Sequence, residues 1–228
     1  MSRVRAGWQG PSWRIGLGAT EAPVGDDALL PQEGALVDGA SPQRRTEVAA
    51  GRHCARVALS ALDRDLGRMP VLADARGAPL WPAGTVGSIT HCAGWTGAVA
   101  ARSRGSRFGR GIRSLGLDAE PVAPLPAGVL DVVASAAERV ELERLGRERP
   151  GIPWDTVLFS AKEATYKAWY PLAGTVVGHD AVRVSLSPAG SFTAVAAADD
   201  ASGREVVHRV RGRWVLGPRV LVVLGVVA

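Results

Sequence analysis

Asp118 and Glu120, in the run Gly116-Leu117-Asp118-Ala119-Glu120, are two residues whose types and spacing suit them to chemistry as a pair. On a strand, side chains alternate between faces, so both carboxylates project to one side while Leu115, Leu117 and Ala119 face the other. Held within about 7 Å, they repel each other unless a cation lies between them. Hard oxygen ligands of this kind suit Mg²⁺, which completes its shell with waters and substrate phosphates. Taken alone, D-x-E is common and reads rather as the acidic solvent face of an edge strand.

A second stretch, Phe159 to Trp169, holds both lysines of a chain that has 27 Lys and Arg together. A sequence that writes Arg nearly everywhere keeps Lys162 and Lys167 five residues apart, and an ammonium is a compact point charge, chemically distinct from a guanidinium fork. On a helix, Val157, Ala161, Ala164, Thr165 and Ala168 form a small-residue face able to pack on a sheet. Glu163, Tyr166, Lys167 and Tyr170 share another stripe. Glu163 and Lys167 also fit a plain i,i+4 surface pair worth a few tenths of a kcal/mol, or about 0.2–0.5; the aromatic neighbours and the rarity of Lys weigh against that. A third stretch, Gly87-Ser88-Ile89-Thr90-His91-Cys92-Ala93-Gly94, can offer a hydroxyl and an imidazole to an anion beside a Gly-containing turn. A lone His is as often structural.

The elements that must carry these residues are legible in outline. Residues 1–40 read as loops around one or two short strands. A helix begins at Pro42, capped by Ser41, with Val48, Cys54, Ala55, Ala58, Leu59 and Leu62 on one face and Arg44, Arg45, Arg52 and Arg56 opposite. Residues 67–84 read as loop, with Pro70, Gly77, Pro79 and Pro82 as breakers. Val86–Arg102 reads as a hairpin turning at His91–Gly94, and the small residues from Thr96 to Ala101 predict close packing on another backbone. The Arg, Gly and Ser of 103–113 form an exposed turn at the midpoint. Ser114–Glu120 is a strand ended by Pro121. Helices follow over roughly Ala127–Arg147 and Trp154–Trp169, the second capped by Asp155. Alternating runs near Val182–Leu186, Phe192–Ala196, Val206–Val210, Arg213–Leu216 and Val220–Val227 predict antiparallel strands.

Composition narrows the partners. The 228 residues are 46% hydrophobic and 21% charged, as in a globular protein with a real core. A net charge of +5 and a pI near 10.0 favour an anionic partner. Aromatic residues are not interleaved with basic ones as a single-strand nucleic-acid platform needs. Cys54 and Cys92 are too few for a disulfide framework or zinc site and read as buried reduced thiols. Met1–Gly18 lacks the pattern of a signal peptide, and Val220–Ala228 is too short to span a bilayer. The expectation is a cytoplasmic protein with no membrane and no nucleic acid among its partners.

In order and spacing, Ser88–His91, Gly116–Glu120 and Lys162–Lys167 resemble the 4′-phosphopantetheinyl transferases, specifically the Sfp-type enzymes and their enterobactin-synthase-activating branch. That family carries an S-x-[ST]-H stretch, a G-x-D-x-E strand and a K-E-A/S-x-x-K helix, and the Arg-rich helix from Arg44 to Arg56 looks like its first block. The resemblance covers roughly residues 41–172. It implies an α+β fold of two similar halves related by a pseudo-twofold axis, each a small antiparallel sheet packed with helices, here 1–112 and 113–228. It implies a monomer that moves phosphopantetheine from coenzyme A to a serine of apo acyl or peptidyl carrier proteins in fatty acid, polyketide or nonribosomal peptide synthesis. Asp118, Glu120 and Glu163 would hold Mg²⁺. Lys167 would neutralise the phosphates with help from Lys162, and Glu163, directly or through a metal-bound water, would take the serine proton. Arg44, Arg52, Thr90 and His91 would contact the phosphates of the coenzyme A nucleotide. Arg76 falls where relatives carry a basic loop, although Ala73 stands at that loop's earlier basic position. The region between Pro121 and Trp154 is the candidate for carrier docking. A magnesium nuclease or nucleotidyl transferase built on the same three carboxylates is the enzymatic alternative, but it leaves Lys162, His91 and the Arg-rich helix without work. A basic nucleotide- or RNA-binding module is the non-enzymatic one.

Overall fold

Gly16 and Gly18 set the character of the first half of the chain. A Cβ on either would stand 1.9 Å from the carbonyl oxygen of Ala58 or 2.2 Å from that of Cys54, so only glycine lets the strand that carries them rest its backbone on the facing helix. The strand is β1 (Ile15–Thr20) and the helix is α1 (Pro42–Ser60). The computed structural model in which they lie describes residues 14–92, 94–103, 105, 111–175, 178–199 and 205–228. These fall into two compact units, one described from Arg14 to Leu115 and the other Gly116–Val227.

In the first unit α1 starts as its sequence dictates: the Ser41 hydroxyl accepts from the Arg44 N–H at 3.3 Å, and Pro42 sits where no amide hydrogen is needed. Its buried face, including Val48, Cys54, Ala55, Ala58 and Leu59, covers a three-stranded antiparallel sheet in the order β1-β5-β4, where β4 is Thr85–Cys92 and β5 Trp95–Arg102. Between helix and hairpin, residues expected to be loop add a short pair, β2 (Leu72–Ala73) and β3 (Pro79–Leu80). Two of the four arginines opposite the apolar face of α1 are withdrawn from solvent. Arg52 is only 7% exposed, and Arg56 pairs with the fully buried Glu33 at 2.5 Å. The segment around Pro31–Val37 folds over this flank of the helix and supplies that carboxylate, a tertiary contact to which helical periodicity is blind.

The second unit is a five-stranded antiparallel sheet in the order β6-β10-β9-β8-β7, packed against helices. The strands are β6 (Ser114–Pro121), β7 (Val182–Ser187), β8 (Ser191–Asp199), β9 (Glu205–Leu216) and β10 (Val220–Val227). The two runs expected between residues 206 and 216 are the single strand β9. The helix expected over 127–147 is instead two, α2 (Val129–Val133) and α3 (Ala136–Glu148). Ser135 breaks it by starting a new helix: its hydroxyl accepts from the Glu138 N–H, and the Glu138 carboxylate accepts from the Ser135 N–H at 2.8 Å. Helix α4 (Trp154–Ala173) buries the predicted small-residue face of Val157, Ala161, Ala164, Thr165 and Ala168. Asp155 is not its cap. It lies inside the first turn, where one oxygen accepts from the Leu125 N–H at 2.8 Å and ties down the preceding loop. The architecture is α+β, as expected, with sheets of three and five strands. Most of the Arg/Gly/Ser run expected as a midpoint turn lies outside the described residues.

No helix among the described residues is long and apolar enough to cross a membrane. Cys54 is fully buried, its Sγ donating to the Thr96 carbonyl at 3.6 Å, while Cys92 is half-buried at the end of β4. Burial pushes the Cys54 thiol up to about 11.

Candidate active site

Gly116 joins the two chemical motifs of the second unit into one object. A Cβ there would stand 1.8 Å from the Ala164 carbonyl oxygen and 2.7 Å from the Ala168 nitrogen, so β6 rests its main chain on that of α4. The glycine of G-x-D-x-E and the alanine of K-E-A are the two sides of this contact. It sets the carboxylates of the strand beside Glu163 and Lys167 of the helix. Lys167 Nζ lies 2.7 Å from Asp118 Oδ1, and the Ser160 hydroxyl donates to Asp118 Oδ2 at 2.7 Å. Asp118 is 4% exposed, which makes these charge-assisted contacts strong.

Glu120 and Glu163 complete the cluster. Burial, then the Asp118 charge, with Glu163 adding and Lys167 opposing, pushes the Glu120 carboxyl up to about 7. Glu163 is also raised, by burial and then by Asp118, against the pull of Lys167 and His179. Three carboxylates thus share one partly buried neighbourhood with more negative charge than Lys167 offsets. Among the described residues no three His, Cys, Asp or Glu side chains stand at metal-ligand spacing. The donor set nonetheless fits a hard divalent cation: it is all oxygen, and a cation would relieve both the burial of charge and the mutual repulsion that raise two of its members.

Lys162 turns away from this cluster. It is 2% exposed, and its ammonium donates to Glu138 Oε2 at 2.9 Å and to the His179 carbonyl at 3.0 Å. Burial acts to raise Glu138, but hydrogen bonds from the Ser135 and Val184 backbones and from Lys162 outweigh it and hold the carboxyl low. His179 escaped the sequence reading altogether. It lies in the turn His179–Ala181 that enters β7, and its Nε2 is 3.8 Å from Glu163 Oε1. Ser160 and Glu138 were also unforeseen, since nothing in their spacing announces Asp118 and Lys162 as their partners.

In the first unit, Arg44 and His91 meet at Glu47. Arg44 Nη1 is 3.3 Å and His91 Nε2 3.7 Å from the same oxygen, Glu47 Oε2. Burial would raise Glu47, but the Gln43 hydrogen bond and the charges of His91 and Arg44 hold it below its usual range. Thr90 and His91 do not share a face: successive residues of β4 alternate, leaving Thr90 4% exposed and the His91 side chain 43% exposed. Arg52 donates through one terminal nitrogen to the Leu72 carbonyl at 3.3 Å, and its buried Nε has no hydrogen-bond partner among the described residues. Burial, with Arg44 and Arg56 adding to it and Glu33 opposing, pushes its guanidinium below the usual range. A spare donor on a buried cation is a fit for an anionic ligand. Arg76 stands on an exposed turn whose backbone is held by Asp74.

Comparison with known proteins agrees with both units. A family model described as the 4′-phosphopantetheinyl transferase N-terminal domain matches residues 32–101, and one described as the 4′-phosphopantetheinyl transferase superfamily matches residues 114–217. The chain is 44% identical to the 4′-phosphopantetheinyl transferase Svp of Streptomyces mobaraensis over 93% of its own length and 85% of that protein's. It is 39% identical to the 4′-phosphopantetheinyl transferase PptT of Mycobacterium tuberculosis, covering 81% of this chain and 80% of that one. With the 4′-phosphopantetheinyl transferase Npt of Nocardia iowensis it shares 43% identity over 68% of this chain and 65% of that one. The chain belongs to the 4′-phosphopantetheinyl transferase superfamily, and it is an enzyme.

Proposed function

We propose that this transferase moves the phosphopantetheine arm of coenzyme A onto a serine hydroxyl of an apo carrier domain, with Asp118, Glu120 and Glu163 holding Mg²⁺. The observation that carries this reading is the meeting of Lys167, Asp118, Glu120 and Glu163 across the Gly116–Ala164 contact. When bound, Mg²⁺ would supply positive charge against the pyrophosphate. Everything else falls to the chain's own groups. Lys167, cationic and at the edge of the cluster, neutralises charge on the phosphate oxygens as 3′,5′-ADP departs. The raised carboxyl of Glu163 is suited to accept the serine proton, directly or through a water, because a base works best when its pKa approaches the working pH. The serine oxygen forms the new bond to the β-phosphorus, and the bond from that phosphorus to the bridging oxygen of 3′,5′-ADP breaks.

In the first half, residues 1–112, Arg44, Arg52, Arg76, Thr90 and His91 are assigned to the phosphates of the nucleotide; the spare Nε of Arg52 supports this most directly. The half from residue 113 carries the chemistry. The acceptor docks on the region between Pro121 and Trp154. Two exposed valines there, Val132 and Val140, can supply the apolar part of the contact, and Arg147 and Arg149 lie at the C-terminal end of α3. A monomer in the cytoplasm that serves secondary metabolism completes the proposal.

The test is incubation with coenzyme A, Mg²⁺ and an apo carrier domain, followed by intact mass measurement. The expected result is a gain of one phosphopantetheine group on the carrier, lost in EDTA and in Asp118→Ala. No gain with several acyl and peptidyl carriers, together with no heat of coenzyme A binding, overturns the reading.

A further inference from the structure

We propose that Lys162 is a positioning residue that acts through Glu138 and His179 to fix the carboxylate of Glu163, rather than a ligand of the coenzyme A phosphates. This rests on the metal-binding role assigned above to Glu163. Lys162 and Glu163 are neighbours on α4 with opposite fates: one side chain is sealed inside, the other reaches the carboxylate cluster. The Lys162 ammonium joins two elements, Glu138 of α3 at 2.9 Å and the carbonyl of His179 at 3.0 Å. Glu138 in turn accepts from the Ser135 N–H and hydroxyl and, through its other oxygen, from the Val184 N–H of β7 at 3.0 Å. The turn His179–Ala181 is therefore held from both sides, by its own carbonyl and by the strand it enters.

That turn delivers an imidazole to the surface of α4. The ring lies 6.1 Å, centre to centre, from Phe159, one helical turn before Glu163, and its Nε2 is 3.8 Å from Glu163 Oε1. At that separation the ring reaches the carboxylate by position or through one bridging water rather than by a direct hydrogen bond, and a ligating carboxylate commonly depends on an outer partner for its orientation. The arrangement also explains why a chain that writes Arg almost everywhere keeps Lys here. The pocket between Glu138 and the His179 carbonyl receives a point charge with rotatable donors, where a planar fork would have to bring five N–H groups into the interior.

The experiment titrates Mg²⁺ into the full-length protein by calorimetry and follows the coenzyme A KM and kcat of carrier modification alongside. His179→Ala, on a partly exposed turn, is expected to weaken Mg²⁺ binding by about 10-fold or more while leaving the KM for coenzyme A unchanged. His179→Asn, which keeps a donor, is expected to recover part of the loss. Lys162→Met should reproduce the His179→Ala phenotype, and the double variant should be no worse than either single one. Two results overturn the inference: Mg²⁺ affinity unmoved in His179→Ala, or a raised coenzyme A KM with unchanged Mg²⁺ affinity in Lys162→Met. Should Lys162→Met not fold, the two His179 variants decide alone. A wild-type protein that neither binds Mg²⁺ nor modifies a carrier overturns the activity reading and this inference with it. Transfer by the wild type, with Mg²⁺ affinity unmoved in His179→Ala, removes the inference alone.

Discussion

Replacing Gly116 with alanine tests whether the active site is built on a main-chain contact. The new methyl carbon would stand 1.8 Å from the Ala164 carbonyl oxygen, and the obstacle is helix backbone, which cannot rotate aside. Restoring ordinary van der Waals separation requires β6 and α4 to part by about 1.5 Å. Overpacking of this kind costs about 1–3 kcal/mol, so the melting temperature should fall by several degrees. The functional loss should exceed the loss of stability. Asp118 is held by Lys167 and Ser160 at 2.7 Å each, and the same displacement breaks both contacts. Misplacement by about 1 Å commonly costs on the order of 100-fold in rate. The assay is a time course of carrier modification at saturating coenzyme A and Mg²⁺, at a temperature where circular dichroism shows the variant folded. Gly146→Ala on α3 is the control, since a Cβ there meets nothing within 4 Å. It should add a few tenths to about 1 kcal/mol of stability, and it serves as the control for stability alone, because α3 lies in the region assigned to carrier docking. A Gly116→Ala protein with wild-type rate and melting temperature would refute the account.

The remaining expectations concern charge. Glu120, raised to about 7 in the folded protein, contributes stability below its unfolded value of 4.5 that is lost as pH rises through 7. In EDTA, Glu120→Gln should therefore raise the melting temperature at pH 8 and change it little at pH 5, with a gap on the order of 3 kcal/mol as an upper bound; equal effects at both pH values would refute the charge cluster. Lys162→Met leaves the Glu138 carboxylate buried without its cation and should destabilise by roughly 3 kcal/mol, with Glu138→Gln in the same chain restoring part of it, read by urea unfolding. Lys167→Met should lower kcat far more than it lowers stability, because its side chain is 29% exposed and its charge faces the cluster. A loss confined to stability would remove Lys167 from the chemistry.

The sequence disclosed what depends on local pattern and withheld what depends on distant partners. Alternation placed Asp118 and Glu120 on one strand, and helical spacing grouped Glu163 with Lys167 and put Ala161, Ala164 and Ala168 on the buried face. The burial of Arg52 and Arg56 was not legible, because the covering segment and Glu33 lie on no periodicity that α1 displays. Lys162 looked like the twin of Lys167 in the motif. Five residues along a helix turn a side chain well away from its predecessor, and only the tertiary positions of Glu138 and His179 show what the interior offers it. Ser135 was readable in principle: Ser followed three residues later by Glu is a capping box, and it marked the break between α2 and α3.

The two cysteines give the protein a built-in attachment point. Cys54 is sealed and its thiol held near 11, so at neutral pH it offers almost no thiolate to a maleimide. Cys92 is half-buried at the end of β4, next to His91. A thiol-reactive fluorophore should therefore add once, next in sequence to His91 but on the opposite face of β4. The unaltered chain can be labelled at one defined place with no cysteine engineered in or out.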